Sequence, residues 1–176
     1  PTQEIDPNKF PDIWKKDPNF FKRGYKDGST VDDAVNTKPV KIQASQLKPS
    51  QDAVYLGKAL GMAIGGVEGG NLDAIISLDN RILDGHHRWA ATIFNNPKAK
   101  VGGVQADLKI GDLVPVLRQA GDALGNERGL PPKGGDINIF KATLEDVRNC
   151  VYNGDNMNPE FYNRDKAIAW FEKKGE

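Results

Sequence analysis

The sequence predicts a mixed α/β (α+β) fold built on a small mixed sheet. Short segments with the period of a β-strand alternate with longer segments that have the period of an amphipathic helix. Glycine and proline residues separate these segments, as expected for turns. With 176 residues, the chain is long enough for one domain with a hydrophobic core and an appendage.

Residues 1–36 predict an irregular N-terminal arm. Four prolines fall within the first 18 residues, and the aromatic residues of this segment keep neither a helical nor a strand period. We expect the aromatic side chains to anchor the arm on the surface of the domain. The alternative is that they form a stacking platform for nucleic-acid bases.

Residues 37–124 are expected to form the core, which begins with a strand and a helix. In KPVKIQ, Val40 and Ile42 alternate with polar residues and predict a strand. Ser50 is expected to cap an amphipathic helix that runs from about Val54 to Ala63 and ends at two glycines. The segment GGVEGGN is expected to be a loop, because its glycines lack the spacing of a phosphate-binding fingerprint.

The second half of the core is predicted to contain a hairpin, a helix, a strand and another helix. DAIISL predicts one strand of the hairpin, Asp79-Asn80 the tight turn and RIL the returning strand. A helix is expected over His86–Phe94, followed by a strand in KVGGVQADL. The last helix of the core is expected from Ile110 to Ala120.

Residues 125–176 are expected to form a loop followed by a two-helix C-terminal extension. The first helix is expected to begin after Thr143, with Asp146 completing a capping box. The second is expected to begin at Pro159, with Asn158 as its cap. The single cysteine, Cys150, is expected to be a small core residue on the first of these helices.

The composition of the chain indicates its compartment and the kinds of partner it can bind. No apolar segment approaches the ~20 residues that span a bilayer, and the polar segment at residues 1–10 is unlike a signal peptide. One cysteine without a disulfide partner fits a reducing cytoplasm. The chain has 24 basic and 24 acidic residues, so a nucleic-acid partner is not favoured, although a local basic patch stays an alternative.

The segment NRILDGHHRWAA contains both histidines of the chain and predicts an anion site. Gly85 would make the turn between a strand and a helix, and the backbone N–H groups of His86, His87 and Arg88 would have no partner inside the helix. Such a helix N-terminus attracts phosphate, and a guanidinium adds a planar pair of donors. The histidine rings could add donors or carry a proton. Asp84 would fit as a ligand of Mg²⁺ or as a base.

Other interpretations of this segment stay open. Asp84 could simply cap the helix, which would leave His86 and His87 exposed without a role. A zinc site is less favoured, because adjacent histidines on a helix point about 100° apart and Cys150 is the only thiol. Triad hydrolysis is also less favoured, because no serine lies in a nucleophile-elbow motif.

This segment resembles the signature of the ParB/sulfiredoxin-like superfamily, in particular the D-G-H-H-R form found in ADP- or ATP-dependent free serine kinases. The upstream segment VKIQASQLKPSQ resembles the first conserved box of ParB-like domains. The resemblance covers about residues 38–108. It implies a ParB/sulfiredoxin-like domain in which Gly85, His86, His87 and Arg88 hold nucleotide phosphates and Asp84 is metal-binding or catalytic.

One departure from the serine kinases concerns the base. Those enzymes carry a glutamate in the first box, at the position that Gln51 occupies here. A neutral amide cannot take a proton from a hydroxyl, so Asp52 would have to substitute. ParB proteins often have glutamine near this point, and they bind and hydrolyse CTP while clamping DNA. Sulfiredoxin chemistry is excluded, because it needs a cysteine in place of the first histidine.

Three classes of function follow from these expectations. The first is a Mg²⁺-dependent enzyme that binds ATP, ADP or another nucleotide and acts as a phosphotransferase on an unknown acceptor or as an NTPase. The second is a DNA-associated ParB-like module, either a nucleotide-gated binder or a nuclease. The third is a binding module for a phosphorylated ligand without turnover. Two observations weigh against the second class. The net charge is zero, and no helix-turn-helix pattern follows the second conserved box, which is the segment NRILDGHHRWAA.

Overall fold

The computed structural model describes residues 35–123 and 135–175, except for the side chains of residues 119–123. The predicted arm therefore lies almost entirely outside the described residues, as does most of the loop before the C-terminal extension. The strands are β1 (Thr37–Gln43), β2 (Lys48–Pro49), β3 (Gly70–Ile76), β4 (Arg81–Asp84) and β5 (Lys100–Ala106). The α-helices are α1 (Leu56–Ile64), α2 (His86–Asn95), α3 (Ile110–Ala123), α4 (Leu144–Asn153) and α5 (Arg164–Lys173).

The described strands form one five-stranded mixed sheet in the order β1-β5-β3-β4-β2. β1 pairs antiparallel with β5, and β5 pairs parallel with β3. β3 and β4 form the predicted antiparallel hairpin, and β2 adds to β4 in parallel. The turn of the hairpin places Asn80 at a φ of 59°, which agrees with the expected tight turn. The prediction of a mixed α/β fold is thus confirmed.

The core lies between the sheet and α2. Ile76, Ile82 and Val101 are fully buried on the sheet, and Trp89 of α2 packs against this cluster. The indole Nε1 of Trp89 donates a hydrogen bond of 2.9 Å to the Ala44 carbonyl, which satisfies its only polar atom. Packing of α2 on the sheet fixes the position of the helix N-terminus, where the predicted site lies.

A bulge in β3 also helps to position that N-terminus. The register of β3 with β5 shifts between Asn71 and Ala74, and Asp73 within the bulge has a φ of 51°. Ala74, the first residue after the bulge, lies directly against Gly85. The bulge therefore sets the surface on which the turn before α2 rests.

Two predicted helix starts were wrong. Ser50 does not cap α1, because its hydroxyl donates to the Ile82 carbonyl instead. The carboxylate of Asp136 accepts from the Gly57 and Lys58 N–H groups at 2.9 and 3.1 Å, and so caps α1 from 79 residues away along the chain. Local sequence could not show such a cap, because the capping residue is brought in by the tertiary fold.

The last helix begins at Arg164, five residues later than predicted. Asn163 caps it by accepting from the Lys166 N–H, whereas the Asn158 carbonyl accepts from the Phe161 and Tyr162 N–H groups and begins a preceding turn. The Tyr162 hydroxyl donates to the Val151 carbonyl at 2.7 Å and fixes that turn against α4. The predicted capping box of α4, formed by Thr143 and Asp146, is present.

Asn95 is a polar side chain that links the C-terminal extension to the core, beside a hydrophobic cluster that contains Leu56, Leu60 and Cys150. Asn95 at the end of α2 donates to the carbonyls of Ala63 and Val67 and accepts from the Trp170 indole at 2.7 Å. Cys150 is fully buried beside α1, as predicted, and burial raises the pKa of its thiol to about 11. Along the described ranges, no helix has the length and apolar character needed to cross a membrane.

Candidate functional site

The candidate site is built around Gly85, the residue between β4 and α2. Gly85 is the N-cap of α2 and has a φ of 93° and a ψ of 21°, a left-handed conformation that side chains resist. It is buried, and an added Cβ would lie 3.5 Å from Ala74 and 3.4 Å from Arg88 Nη2. The prediction that Gly85 makes the turn between a strand and a helix is confirmed.

The N-terminus of α2 keeps its backbone donors free within the described part of the chain. Gly85 makes no side-chain cap, and its own N–H donates to Asp84 Oδ1 at 2.9 Å. None of the described residues accepts from the N–H groups of His86, His87 or Arg88. The Asp84 carboxylate therefore does not accept from these N–H groups as a helix cap would. The positive end of the helix dipole stays available to an anion.

Arg88 adds a cation beside these donors. Its guanidinium folds back over the turn, because Nη2 lies 3.4 Å from the position that a Cβ on Gly85 would take. The Nε atom is buried and has no hydrogen-bond partner among the described residues. A buried donor without a partner has a free-energy cost of roughly 1–3 kcal/mol, and a bound anion could offset this cost.

His86 joins α2 to the loop that follows β2. Its side chain is only 3% exposed, and its Nε2 accepts a hydrogen bond of 3.1 Å from the Ser50 N–H. Burial lowers the pKa of His86, although the nearby Asp84 carboxylate opposes this shift. Because Nε2 accepts from the Ser50 N–H, the ring in this arrangement is neutral and carries its proton on Nδ1.

His87 makes the same kind of contact at the other end of that loop. Its Nε2 accepts from the Tyr55 N–H at 3.1 Å, and the two rings stack with centroids 5.9 Å apart. Burial lowers the pKa of His87 to about 4, and the positive charge of Lys58 contributes to the same shift. His87 is therefore neutral at physiological pH, again with its proton on Nδ1.

The two histidines hold the ends of the segment that contains Gln51 and Asp52. Because Ser50 is bonded to His86 and Tyr55 to His87, this segment is anchored beside the N-terminus of α2. The side chains of Gln51 and Asp52 are both exposed. The structure thus brings the two predicted boxes together, although they are about 30 residues apart in the chain.

The low pKa of His87 predicts a pH dependence of stability. The unfolded ring has the ordinary pKa of 6.5 and the folded ring a pKa of about 4, so the unfolded state binds more protons between these values. The contribution of His87 to the free energy of unfolding should be fully present above pH 6.5. As the pH falls toward 4, the free energy of unfolding should decrease by roughly 1 kcal/mol, after allowance for the partial exposure of the ring. Urea unfolding at several pH values between 4 and 7.5 would measure this loss.

The matched control for this pH dependence is His87→Gln, because the glutamine oxygen can still accept from the Tyr55 N–H but does not titrate. We expect a smaller pH dependence in this variant, with a remainder from His86, whose pKa is shifted in the same direction. Equal pH dependence in the two proteins would contradict the assignment to His87.

Asp84 is the one acidic side chain at the turn itself. It is exposed at the end of β4, with Oδ1 bonded to the Gly85 N–H. No group of three or more potential protein ligands for a metal occurs among the described residues. Mg²⁺ is commonly held by one or two carboxylates together with phosphate oxygens and water, so a single carboxylate fits an ion that arrives with a phosphate ligand.

Sequence reasoning missed the residues that assemble the site from a distance. Ser50 was expected to be a cap but instead pairs with His86, and Tyr55 was not expected to contact His87. Asp136, which caps α1, lies in a segment expected to be loop. The one local signal was the adjacent histidine pair, because two buried imidazoles need hydrogen-bond partners that must come from elsewhere in the chain.

Comparison of the chain with family models, curated proteins and solved structures found no match. The resemblance to the ParB/sulfiredoxin-like superfamily therefore stays a prediction.

Proposed function

We propose that the protein binds the phosphate groups of a nucleotide at the turn of residues 85–88, together with Mg²⁺, and transfers or hydrolyses the terminal phosphate. The observation that carries this proposal is the buried Nε of Arg88, which has no partner among the described residues and lies beside a left-handed glycine at the N-terminus of α2. These features suit a phosphate better than any neutral ligand, because they combine a free helix N-terminus, a backbone that a ligand can approach closely and a guanidinium.

The proposed role of Asp84 is to hold Mg²⁺ against the phosphate oxygens. A carboxylate next to a phosphate site would repel the ligand unless a cation lay between them. Bound Mg²⁺ would neutralise charge that develops on the phosphate in the transition state. The Asp84 carboxylate is exposed and accepts from the Gly85 N–H through Oδ1, which supports this role.

The proposed roles of the neighbouring residues follow from their protonation and position. His86 and His87 are neutral, with Nε2 engaged by backbone donors, so each could offer Nδ1–H to a phosphate oxygen. Gln51 cannot act as a base, whereas the exposed Asp52 carboxylate could accept the proton of a water or of a hydroxyl acceptor. The Asp52 carbonyl accepts from the Asn138 side chain at 2.7 Å, which helps to fix the backbone at this position.

Arg88→Ala tests the anion site. We expect it to weaken binding of Mg²⁺-nucleotide by roughly 1.5–3 kcal/mol, because a charge-assisted hydrogen bond is lost. Isothermal calorimetry with ATP, GTP, CTP and UTP would measure the change and identify the preferred base.

The matched control is Arg118→Ala, which removes the same charge from an exposed position on α3. Its affinity should equal that of the wild type. Unchanged affinity in Arg88→Ala, or equal losses in the two variants, would contradict the assignment of the site.

A further inference from the structure

A cavity of about 1280 Å³ lies between α1 and the segment of residues 154–167. One wall is α1, and the opposite wall is formed by the turn before α5 and the first half of α5. The lining residues that matter to its chemistry are Tyr55, Lys58, His87, Met157, Phe161 and Lys166. This volume exceeds the ~300–1,000 Å³ of common small-molecule sites, so it can accept a group as large as a nucleoside.

Glycines on one face of α1 shape the cavity. At Gly57 an added Cβ would lie only 2.2 Å from the Asn156 carbonyl oxygen, so the loop packs directly on the helix backbone there. At Gly61, one turn later, the nearest atom to such a Cβ is the Met157 methyl carbon at 3.7 Å. The helix and the loop therefore touch at Gly57 and leave space beside Gly61, which lines the cavity.

The charge of the cavity favours an anionic ligand. Lys58 and Lys166 both line it, and both are exposed. Asp136 is the one acid among the described residues of the lining. Its carboxylate accepts from three backbone N–H groups, those of Gly57, Lys58 and Ile137, so its charge is directed at the N-terminus of α1.

One residue, His87, belongs both to the cavity lining and to the turn that carries the proposed phosphate site. The backbone N–H of His87 is one of the open donors of α2, whereas its ring lines the cavity. Lys58 lies close enough to this ring for its charge to influence the imidazole. A ligand bound in the cavity beside His87 would lie next to the helix whose N-terminus carries the proposed phosphate site.

The far part of the cavity has an apolar, aromatic character. Phe161 is 81% exposed, the most exposed of the large hydrophobic side chains in the described ranges. It lies beside Met157 and Tyr162 on the wall opposite α1. A large exposed aromatic residue at the edge of a cavity suits a planar ring, because stacking would bury its face.

We propose that this cavity binds the nucleoside part of the nucleotide, with the base against Phe161 and Met157 and the phosphate chain passing Lys58 on its way to the α2 N-terminus. This inference depends on the proposed function, because it assigns the second half of the same ligand. It also gives the C-terminal extension a role, since residues 154–167 would provide half of the nucleoside site.

The test compares nucleotides with inorganic tripolyphosphate, which has the phosphate chain but no nucleoside. Phe161→Ala should weaken binding of the preferred nucleoside triphosphate roughly tenfold, because one stacking partner is lost, and leave tripolyphosphate binding unchanged. Gly61→Leu should have an equal or larger effect, because its side chain fills the cavity from an exposed helical position. Phe140→Ala is the matched control, since Phe140 is 51% exposed and does not line the cavity.

The outcomes separate this inference from the proposed function. If Phe161→Ala and Gly61→Leu both bind the nucleotide as tightly as the wild type, the nucleoside lies elsewhere and the inference is overturned. If both variants lose tripolyphosphate as well as the nucleotide, the effect lies in the phosphate site and the inference is again overturned. If the wild type binds neither probe, the proposed function fails and the inference fails with it.

Discussion

Gly85→Val is expected to weaken nucleotide binding by at least about 100-fold, equivalent to roughly 2.8 kcal/mol. Valine is strongly disfavoured at a φ of 93°, and its methyl groups would extend from a Cβ that already lies 3.4 Å from Arg88 Nη2. The free energy of unfolding should fall by a smaller amount, roughly 1–3 kcal/mol, from backbone strain. Calorimetry and urea unfolding on the same preparation would measure both quantities.

Gly85→Ala is the matched control for Gly85→Val, because it shares the backbone strain but adds only a Cβ in ordinary contact at 3.4–3.5 Å. We expect alanine to lose roughly 1 kcal/mol of stability and to keep most of the binding. Normal nucleotide binding by the valine variant would show that the phosphates are held elsewhere.

Asp84→Asn should reduce turnover of the nucleotide by at least about 100-fold, more than it reduces binding of Mg²⁺-nucleotide. Asparagine keeps the shape and can still accept from the Gly85 N–H, but it removes the charge that holds the metal while charge grows in the transition state. Steady-state nucleotide consumption and calorimetry, each with and without Mg²⁺, would separate the two effects. Unchanged turnover would mean that Asp84 acts only through its hydrogen bond to the turn.

The companion variants concern the proton acceptor. Asp52→Asn should stop turnover and preserve nucleotide binding, because the side chain is exposed and its carbonyl contact with Asn138 is retained. If a hydroxyl acceptor is the natural substrate, Gln51→Glu should increase phosphate transfer, because it supplies a carboxylate on the same anchored segment. Full activity of Asp52→Asn would remove that residue from the mechanism.

Much of the fold could be predicted because local patterns agree with tertiary structure in the core. The turn at Asp79-Asn80 and the capping box at Thr143 each reflect contacts within a few residues. The alternation at Val40 and Ile42 is a local pattern that matches their long-range packing on the core. The start of the last helix was predicted wrongly because Asn158 and Asn163 are both good caps. The choice between them depends on the Tyr162 contact with α4.

Of the candidate site, only the segment of residues 84–88 could be predicted from the sequence. The segment of residues 84–88 carries its own signal, because a glycine, an arginine and two histidines at a strand-helix junction suit an anion. The contacts that anchor Ser50 and Tyr55 to the histidines depend on how β2 and α1 pack beside α2, which periodicity does not show. The cavity could not be predicted at all, since its walls come from α1 and from a turn about 100 residues later.

The most direct test of the proposed phosphate site is the response of the backbone amides of His86, His87 and Arg88 to ligand. Titration of ¹⁵N-labelled protein with Mg²⁺-nucleotide, and separately with tripolyphosphate, would follow each amide in heteronuclear NMR spectra. We predict that these three amides and that of Gly85 show the largest chemical-shift changes with both ligands, because phosphate oxygens accept from the open donors of α2. No shift at these amides under saturating nucleotide, or the largest shifts in another part of the chain, would contradict the phosphate site.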